Sequence, residues 1–374
     1  MGYIETELKY SYNDVSIVPS PISTLKHRAE ANPFKNGMLP IFTAPMTSVV
    51  NADNITMYED NKIIPILPRN IKYDAFTRFE FACQGRWAAF SFDEFEEIFC
   101  KNKAKTKIED KAFVLIDMAN GHMANLFERV REAKAHYGDK LVVMIGNIAN
   151  PETYYHATKC GADYVRLNIG GGDGCVTSTN SGINYPIASL ISDTVKEREK
   201  ILFGNPHAKC PYIVADGGIR DFCDVIKALC LGADFVMIGG IFGRKMESAS
   251  PCLELAMDGK TIEHNGMQLM MQDNFEYKGN GRFLIDGKDA RFMKKFYGMA
   301  SKFGQQDMGV AEKVEEGIAK LFVVDGTVEE WSKKMAHFLR SAMSYLNCYD
   351  INDIFKLSKV IVVTTNAYNC INRN

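Results

Sequence analysis

The sequence lacks the features that would place it in a membrane or on nucleic acid. Its 374 residues contain no apolar run long enough to span a bilayer. The amino terminus carries acidic residues and lacks the apolar core of a secretory signal. Lys and Arg number 44 against 46 Asp and Glu, so the net charge of −2 gives no broad basic surface for nucleic acid. We therefore expect neither membrane nor nucleic-acid partners.

The sequence also lacks a metal-binding cysteine framework. Ten cysteines are present, but no two are spaced as CxxC, and their spacing predicts no zinc site. Most lie in apolar stretches such as those around Cys160 and Cys230, where a cysteine is usually a small buried hydrophobe. A reduced, cytoplasmic setting is the natural inference.

Eight short apolar runs recur at nearly regular intervals along the chain. Each is too short for a helix and rich in branched residues, which is typical of a buried parallel strand. Two amphipathic stretches between them, Pro151–Gly161 and Phe222–Gly232, end in glycine, which is a helix C-cap signal. The runs are Leu39–Thr43, Ile63–Leu67, Trp87–Ser91, Phe113–Asp117, Leu141–Gly146, Tyr164–Ile169, Tyr212–Asp216 and Phe235–Gly239.

Eight strands that alternate with helices predict an α/β protein with a closed (β/α)8 TIM barrel, as a single domain over residues 1–374. An open doubly wound sheet is the alternative, but no GxGxxG follows the first strand. After the eighth strand the pattern stops, and residues 258–326 are polar, Met-rich and irregular, with Gly279–Gly281 as a hairpin turn. This segment is predicted to be a lid or flap, and Glu329–Leu346 a closing helix of the barrel wall.

The segment after the sixth strand is the most informative part of the sequence. It places four glycines within seven residues, just before Cys175. A backbone without Cβ atoms can turn its carbonyls or amides onto an ion or a phosphate. Because catalytic groups of a barrel gather at the carboxyl ends of its strands, Cys175 is predicted to be a nucleophile for an electron-poor ring carbon. Thr177, two residues further on, could orient a water or an amine.

Two glycine pairs follow the seventh and eighth strands. Gly217–Gly218 and Gly239–Gly240 stand where α/β barrels usually bind phosphate. Asp216, beside the first pair, is suited to accept two hydrogen bonds from a ribose diol. Turn formation alone would explain these residue types, but it does not explain why the glycines cluster near the cysteine loop.

The motifs resemble, in order and over nearly the whole chain, those of the IMP dehydrogenase and GMP reductase family. Segments 117–122, 296–299 and 309–317 favour the reductase branch, and the longer flap and regulatory insert of the dehydrogenase have no counterpart here. The segments that carry the family resemblance are Tyr10–Pro19, Ala44–Met46, Gly170–Cys175, Ala215–Arg220, Phe235–Gly240, Glu247–Ser248, Tyr297–Met299 and Leu339–Ser341.

The resemblance implies an NADPH-dependent reductive deamination of GMP to IMP and ammonia. Cys175 would attack C2 of the purine to give a thioimidate, and Thr177 and Glu316 would handle the proton for the departing ammonia. Glu316 is equally compatible with a solvated surface charge. The implied substrate-binding residues are Asp216, Gly217, Gly218, Gly239, Gly240, Tyr297, Gly298 and Met299.

The resemblance also implies a cofactor site, a cation site and an oligomer. Asp117, Asn120 and Gly121 would lie near the nicotinamide. A monovalent cation, potassium, would be held by Gly170, Gly172 and Cys175. The family forms tetramers, so we expect a homotetramer.

Three features depart from the family pattern. Asp173 stands where the family has a phosphate-binding serine, the segment after the third strand is shortened around Ser91, and an insert precedes Phe296. Two alternatives therefore stay open. One is an IMP dehydrogenase that converts IMP to XMP with NAD. The other is a relative that binds purine nucleotides without catalysis.

Overall fold

Eight parallel strands form a barrel at the centre of the chain. The computed structural model of the protein describes residues 5–172, 176–255, 261–311, 314 and 316–371. A short strand, β1 (Val15–Val18), comes before the barrel. The barrel strands are β2 (Ile41–Thr43), β3 (Ile66–Leu67), β4 (Trp87–Phe90), β5 (Ala112–Asp117), β6 (Leu141–Ile148), β7 (Tyr164–Leu167), β8 (Tyr212–Asp216) and β9 (Phe235–Ile238).

The sheet closes on itself between its first two strands. Its order is β2-β9-β8-β7-β6-β5-β4-β3, and a parallel bridge joins Phe42 to Ile64, just before β3. There Ile64 N donates to Ile41 O at 2.9 Å, and Thr43 N donates to Ile64 O at 3.0 Å. The predicted (β/α)8 barrel and all eight of its predicted strands are confirmed, with ends that shift by a few residues.

Helices surround the barrel and extend over its ends. The predicted helices are confirmed as α5, α8 and α12, and Gly161 ends α5 in the left-handed conformation. None of the helices in the described part of the chain is long and apolar enough to cross a membrane. They are α1 (Ile55–Asp60), α2 (Ala75–Cys83), α3 (Phe92–Phe95), α4 (Ala124–Tyr137), α5 (Thr153–Cys160), α6 (Thr177–Ser181), α7 (Ile187–Gly204), α8 (Phe222–Cys230), α9 (Gly240–Gly243), α10 (Gly266–Met270), α11 (Lys302–Asp307), α12 (Val328–Tyr345), α13 (Ile354–Leu357) and α14 (Thr365–Ile371).

The chain leaves the barrel after α9 and returns at α12, and we call residues 252–326 the excursion. The sequence predicts irregular chain here, but the structure has two antiparallel sheets, ordered β11-β10-β15-β16 and β12-β13-β14. The predicted hairpin turn at Gly279–Gly281 is confirmed between β12 and β13. The remaining strands are β10 (Cys252–Leu255), β11 (Thr261–His264), β12 (Phe275–Tyr277), β13 (Phe283–Ile285), β14 (Lys288–Ala290), β15 (Phe292–Tyr297), β16 (Ala319–Val323) and β17 (Lys359–Val362), which pairs with β1.

Aromatic side chains fill the amino-terminal end of the barrel. Trp87, Tyr164 and Phe235 are the first residues of their strands and meet Phe42 inside the barrel. The ring centroids of Phe42 and Trp87 lie 5.5 Å apart, and those of Trp87 and Tyr164 lie 5.1 Å apart, both edge to face. This aromatic plug closes one end, so the space inside the barrel opens at the carboxyl ends of the strands.

A buried lysine ties the excursion to the segment after α9, and a buried glutamate ties that segment to α12. Lys294, on β15, is fully buried and donates to Ser248 O at 2.6 Å and to Ser250 O at 2.9 Å. Glu247 accepts hydrogen bonds from Val328 N, at the start of α12, at 3.0 and 3.1 Å. Burial raises the pKa of the Glu247 carboxyl to about 7 and lowers the pKa of the Lys294 ammonium to about 8.

Glu247 should make the stability of the fold depend on pH. Its folded pKa of about 7 exceeds its ordinary value of 4.5, so its stabilising contribution is complete below about pH 4.5 and is lost as the pH rises through 7. Glu247→Gln keeps an acceptor for Val328 N but cannot ionise. We expect the wild type to lose on the order of 2–3 kcal/mol more unfolding free energy than this variant between about pH 4.5 and 7.

Urea unfolding at a series of pH values measures this difference. Glu329→Gln is the matched control, because Glu329 is next to Val328 in the first turn of α12 but has an exposed side chain. Its unfolding free energy should depend on pH as that of the wild type does. Identical pH profiles for the wild type and Glu247→Gln would contradict the assignment.

Candidate active site

A cavity of about 800 Å³ lies at the carboxyl ends of the barrel strands. Its size is within the range of small-molecule sites. The loops after β2, β5, β7, β8 and β9 contribute to its wall, and the excursion covers one side through Phe296 and residues 298–300. The structure thus places the predicted catalytic face of the barrel around one enclosed space, which we call the main cavity.

Three charged residues at strand ends form an ion-pair chain across the main cavity. Side chains alternate along a strand, and Leu115 and Val214 point into the barrel, so Asp117 and Asp216 point inward as well. Arg166 of β7 lies between them. Its Nη1 donates to Asp117 Oδ1 at 2.7 Å, and its Nε donates to Asp216 Oδ2 at 2.8 Å.

A second arginine extends this chain. Arg69 Nη2 donates to Asp117 Oδ2 at 3.3 Å, and Arg69 Nε is buried without a hydrogen-bond partner among the described residues. Burial alone would raise the pKa of the Asp117 carboxyl. The positive charges of Arg69 and Arg166 lower this pKa by more than burial raises it, so the net pKa is below its usual range. Burial lowers the pKa of Arg166, but Asp216 and Asp117 raise it to a net value above its usual range. The chain of charges therefore stays ionised.

Two asparagines fix the orientation of Asp216. Asn147 Nδ2 donates to Asp216 Oδ2 at 3.0 Å and to Asn168 O at 2.6 Å, and Asn168 Nδ2 donates to Asp216 O at 2.8 Å. Since Arg166 and Asn147 both bind Oδ2, Oδ1 is the oxygen that the described contacts leave for a ligand. The site is predicted to bind a diol through Asp216, and the structure places Asp216 on the cavity wall.

Sequence reasoning missed Arg69, Arg166, Asn147 and Asn168 as site residues. A signal was present for Arg166, because a charged side chain at the inward position of a buried strand needs a partner of opposite charge. The structure also explains the glycine at position 146, which pairs with Arg166 between β6 and β7. Gly146 has φ +153°, and a Cβ there would lie 2.6 Å from Arg166 Cβ, so only glycine fits beside the arginine.

The predicted glycine pairs come together in the wall of the main cavity. Gly217, Gly218, Gly239 and Gly240 all line it. Gly218 N donates to Gly171 O at 2.8 Å, which joins the loops after β7 and β8. Gly217 has φ +80°, and a Cβ there would lie 2.9 Å from the Gly171 carbonyl carbon. Glycine is therefore required where the two loops touch.

Thr177 and Glu316, far apart in sequence, are hydrogen-bonded in the structure. Thr177 Oγ1 donates to Glu316 Oε2 at 3.2 Å, and Val176 N donates to Glu316 O at 2.9 Å. Both side chains line the main cavity. Cys175 and Asp173 lie outside the described residues, but the loop enters at Gly172 on the cavity wall and leaves at Val176 beside this pair.

Three predicted site residues do not line the main cavity. The Tyr297 hydroxyl donates to Asp307 Oδ2 at 2.7 Å, and Thr47 Oγ1 donates to the same oxygen at 2.5 Å. Asp307 therefore joins the excursion to the loop after β2, and Tyr297 orients its carboxylate. Gly298 and Met299 do line it. Asn120 is exposed and accepts from His122 N at 3.1 Å. Gly121 is buried, and its N–H donates to Asn147 O.

The described part of the chain provides no complete cation site. Gly170 O accepts a hydrogen bond from Ser178 Oγ at 3.2 Å, Gly172 lines the main cavity, and the third predicted ligand, Cys175, is not described. No group of three His, Cys, Asp or Glu side chains that could hold a metal occurs among the described residues.

Ser91 has a structural role here, because its hydroxyl accepts from Glu94 N and caps α3.

Comparisons with known proteins agree with this geometry. The model of the IMP dehydrogenase / GMP reductase domain matches residues 99–370. A GMP reductase of Photobacterium profundum is 28% identical over 377 residues, covering 96% of each chain. GMP reductase of Caenorhabditis elegans is 26% identical and human GMP reductase 1 is 25% identical, over 97% of this chain and 94% and 98% of theirs. The chain belongs to the IMP dehydrogenase / GMP reductase family.

Proposed function

We propose that the protein is a GMP reductase that converts GMP to IMP and ammonia with NADPH. The hydrogen bond between Thr177 and Glu316 carries the proposal. It places a hydroxyl and a carboxylate beside the loop of Cys175, on the wall of a cavity that also contains Asp216 and the two glycine pairs. The relatives named GMP reductase, which match nearly the whole chain, support the reductase branch.

The wall of the main cavity fits a purine nucleotide. Asp216 Oδ1 is available to accept from a ribose hydroxyl, while Arg166 and Asn147 hold the other oxygen. Gly217, Gly239 and Gly240 lack side chains, so a phosphate can approach their backbone amides closely. The Gly218 N–H is already donated to Gly171 O, and Gly218 contributes space rather than a donor. The base would then extend towards Thr177 and the loop of Cys175.

The wall at residues 117–119 fits a nicotinamide. Both carboxylate oxygens of Asp117 are taken by arginines, so Asp117 fixes this part of the wall, and half-buried Met118 and exposed Ala119 offer apolar surface beside it. When bound, NADPH supplies the hydride that arrives at C2 of the purine. Asn120 follows this segment directly and is exposed. We assign no step to a cation.

The residues of this chain would act in two stages. The Cys175 thiolate adds to C2 of the base, and the bond between C2 and the amino nitrogen then breaks. Departure of the amino group as ammonia needs one added proton. Glu316 takes up this proton from solvent and passes it through the Thr177 hydroxyl to the departing nitrogen, so ammonia leaves, a thioimidate remains and Glu316 is left as a carboxylate. When hydride reaches C2, the C–S bond breaks and the thiolate is restored.

By resemblance to the family, we also propose a cytoplasmic homotetramer.

Cys175 should be the most reactive cysteine of the chain. Burial raises the pKa values of Cys160, Cys230 and Cys252, so these thiols should alkylate slowly, whereas a loop thiolate reacts fast. We expect iodoacetamide near neutral pH to label Cys175 first, GMP to protect it, and Cys175→Ala to abolish turnover with the fold intact. Mass-spectrometric mapping measures this. Cys223→Ser, at an exposed cysteine, is the control, and an unreactive Cys175 would exclude covalent catalysis.

Glu316→Gln and Thr177→Val should slow the release of ammonia. Loss of general acid–base help typically costs about 10²–10⁴ in rate. Because the slowed release of ammonia would then limit turnover, the primary isotope effect on turnover with deuterated NADPH should be close to unity in these variants. Thr179→Val, on the exposed side of the same helix, should retain the wild-type rate. Unchanged kinetics in Glu316→Gln would make Glu316 a surface charge.

One assay separates the proposed reaction from its alternatives. Oxidation of NADPH that depends on GMP, together with formation of IMP and ammonia, is the expected result. Formation of NADH from IMP and NAD would instead identify an IMP dehydrogenase. Tight binding of GMP or IMP without turnover in either direction would identify a non-catalytic relative.

A further inference from the structure

A second cavity adjoins the main cavity. It has a volume of about 420 Å³, and Ile219 and Arg220 line both cavities. Its wall combines the start of α8, the end of α9 and the first turns of α12. Because Ile219 and Arg220 directly follow Gly218, the distal cavity lies next to the part of the main cavity where the phosphate of a nucleotide is proposed to bind. We call it the distal cavity.

The carboxylates of the distal cavity already have donors. Asp325 accepts from Lys245 Nζ at 2.5 Å. Glu330 accepts from Lys334 Nζ at 2.7 Å and from the Tyr277 hydroxyl. Asp221 caps α8, with its side chain accepting from Phe222 N at 3.2 Å. Asp325 and Glu330 are therefore each paired with a lysine. The hydrogen bond to Asp221 comes from a backbone amide, so its charge has no cationic partner among the described residues.

Two arginines of the distal cavity have no carboxylate partner among the described residues. Among the described residues, the guanidinium groups of Arg220 and Arg244 form no ion pair with a carboxylate, and both line the cavity. Arg244 is held in place, because its guanidinium carbon lies 4.4 Å from the centroid of the Phe322 ring. A planar guanidinium that is positioned and unpaired is suited to bind a phosphate with two hydrogen bonds.

We propose that the distal cavity is a phosphate subsite, which takes the terminal phosphates of a purine nucleoside di- or triphosphate whose base and ribose occupy the main cavity. The proposal rests on the proposed function, since it extends the same bound nucleotide. Arg220 stands at the junction, and Arg244 lies further along the distal cavity. GDP and GTP would then compete with GMP for the protein, so the enzyme would slow when these nucleotides are abundant.

Calorimetric titration of GMP, GDP and GTP, without Mg²⁺, tests the subsite. We expect the wild type to bind GDP and GTP about tenfold or more tightly than GMP, as charge-assisted hydrogen bonds to one phosphate would give. Arg244→Gln should lower the ratio of GTP to GMP affinity to near one, and Arg244→Lys should restore part of it. Arg131→Gln removes an exposed arginine on α4, on another face of the barrel, and should keep the wild-type ratio.

The outcomes separate this proposal from the proposed function. If GMP binds but GDP and GTP gain nothing, or if the gain persists in Arg244→Gln, the subsite is excluded and the proposed function still stands. If GMP itself does not bind, the proposed function fails. Inorganic pyrophosphate is the last probe. Binding of pyrophosphate that depends on Arg244 and persists at saturating GDP would mean that the cavity holds a separate anion, and would overturn the assignment to the nucleotide.

Discussion

The buried guanidinium of Arg166 is the interaction on which the rest of the site depends. It lies between Asp117 and Asp216, with Nη1 and Nε at 2.7 and 2.8 Å from their oxygens. Removing one member of a buried ion pair typically costs about 3–5 kcal/mol, because the remaining charges lose their partner. Without Arg166, Asp216 would lose its only ion-pair partner among the described residues, and Asp117 would keep Arg69 alone. Arg166 also binds Asp216 Oδ2, and so determines which oxygen of Asp216 is left for a ligand.

The barrel interior is divided along its axis into an apolar end and a charged end. Phe42, Trp87, Tyr164 and Phe235 fill the amino-terminal end and exclude water. Above these rings lies a second apolar layer that includes Leu115, Met144 and Val214. At or near the strand ends, the inward positions include charged residues and glycine, namely Asp117, Gly146, Arg166, Asp216 and Gly239. A charge is tolerated in such a place only with a partner and a route to solvent, and the main cavity provides that route. The plug therefore determines where the site lies, and the ion-pair chain determines its shape.

The eight strands could be predicted because each is short, apolar and separated by a helical stretch. The glycine pairs and Thr177 could be predicted because their positions follow strand ends. The inward direction of Arg166 could also be predicted, because side chains alternate along β7 and Tyr164 points into the barrel. The strands of the excursion could not be predicted in this way, because they are only three to six residues long and half-exposed. Contacts such as Tyr297 with Asp307, or Arg220 with the distal cavity, arise from residues brought together only by folding.

The charges of the two cavities explain which end of a ligand each can hold. In the main cavity, Arg69 and Arg166 are committed to Asp117 and Asp216, so these arginines have little capacity left to neutralise a phosphate. An anionic group placed there must rely on the backbone amides of the glycine loops, which supply partial charge only. The full positive charges that no carboxylate matches among the described residues, on Arg220 and Arg244, lie beyond those loops. For a nucleotide bound as proposed, electrostatic attraction would therefore increase from the ribose outward, which is the physical basis for the proposed preference for ligands whose negative charge extends in that direction.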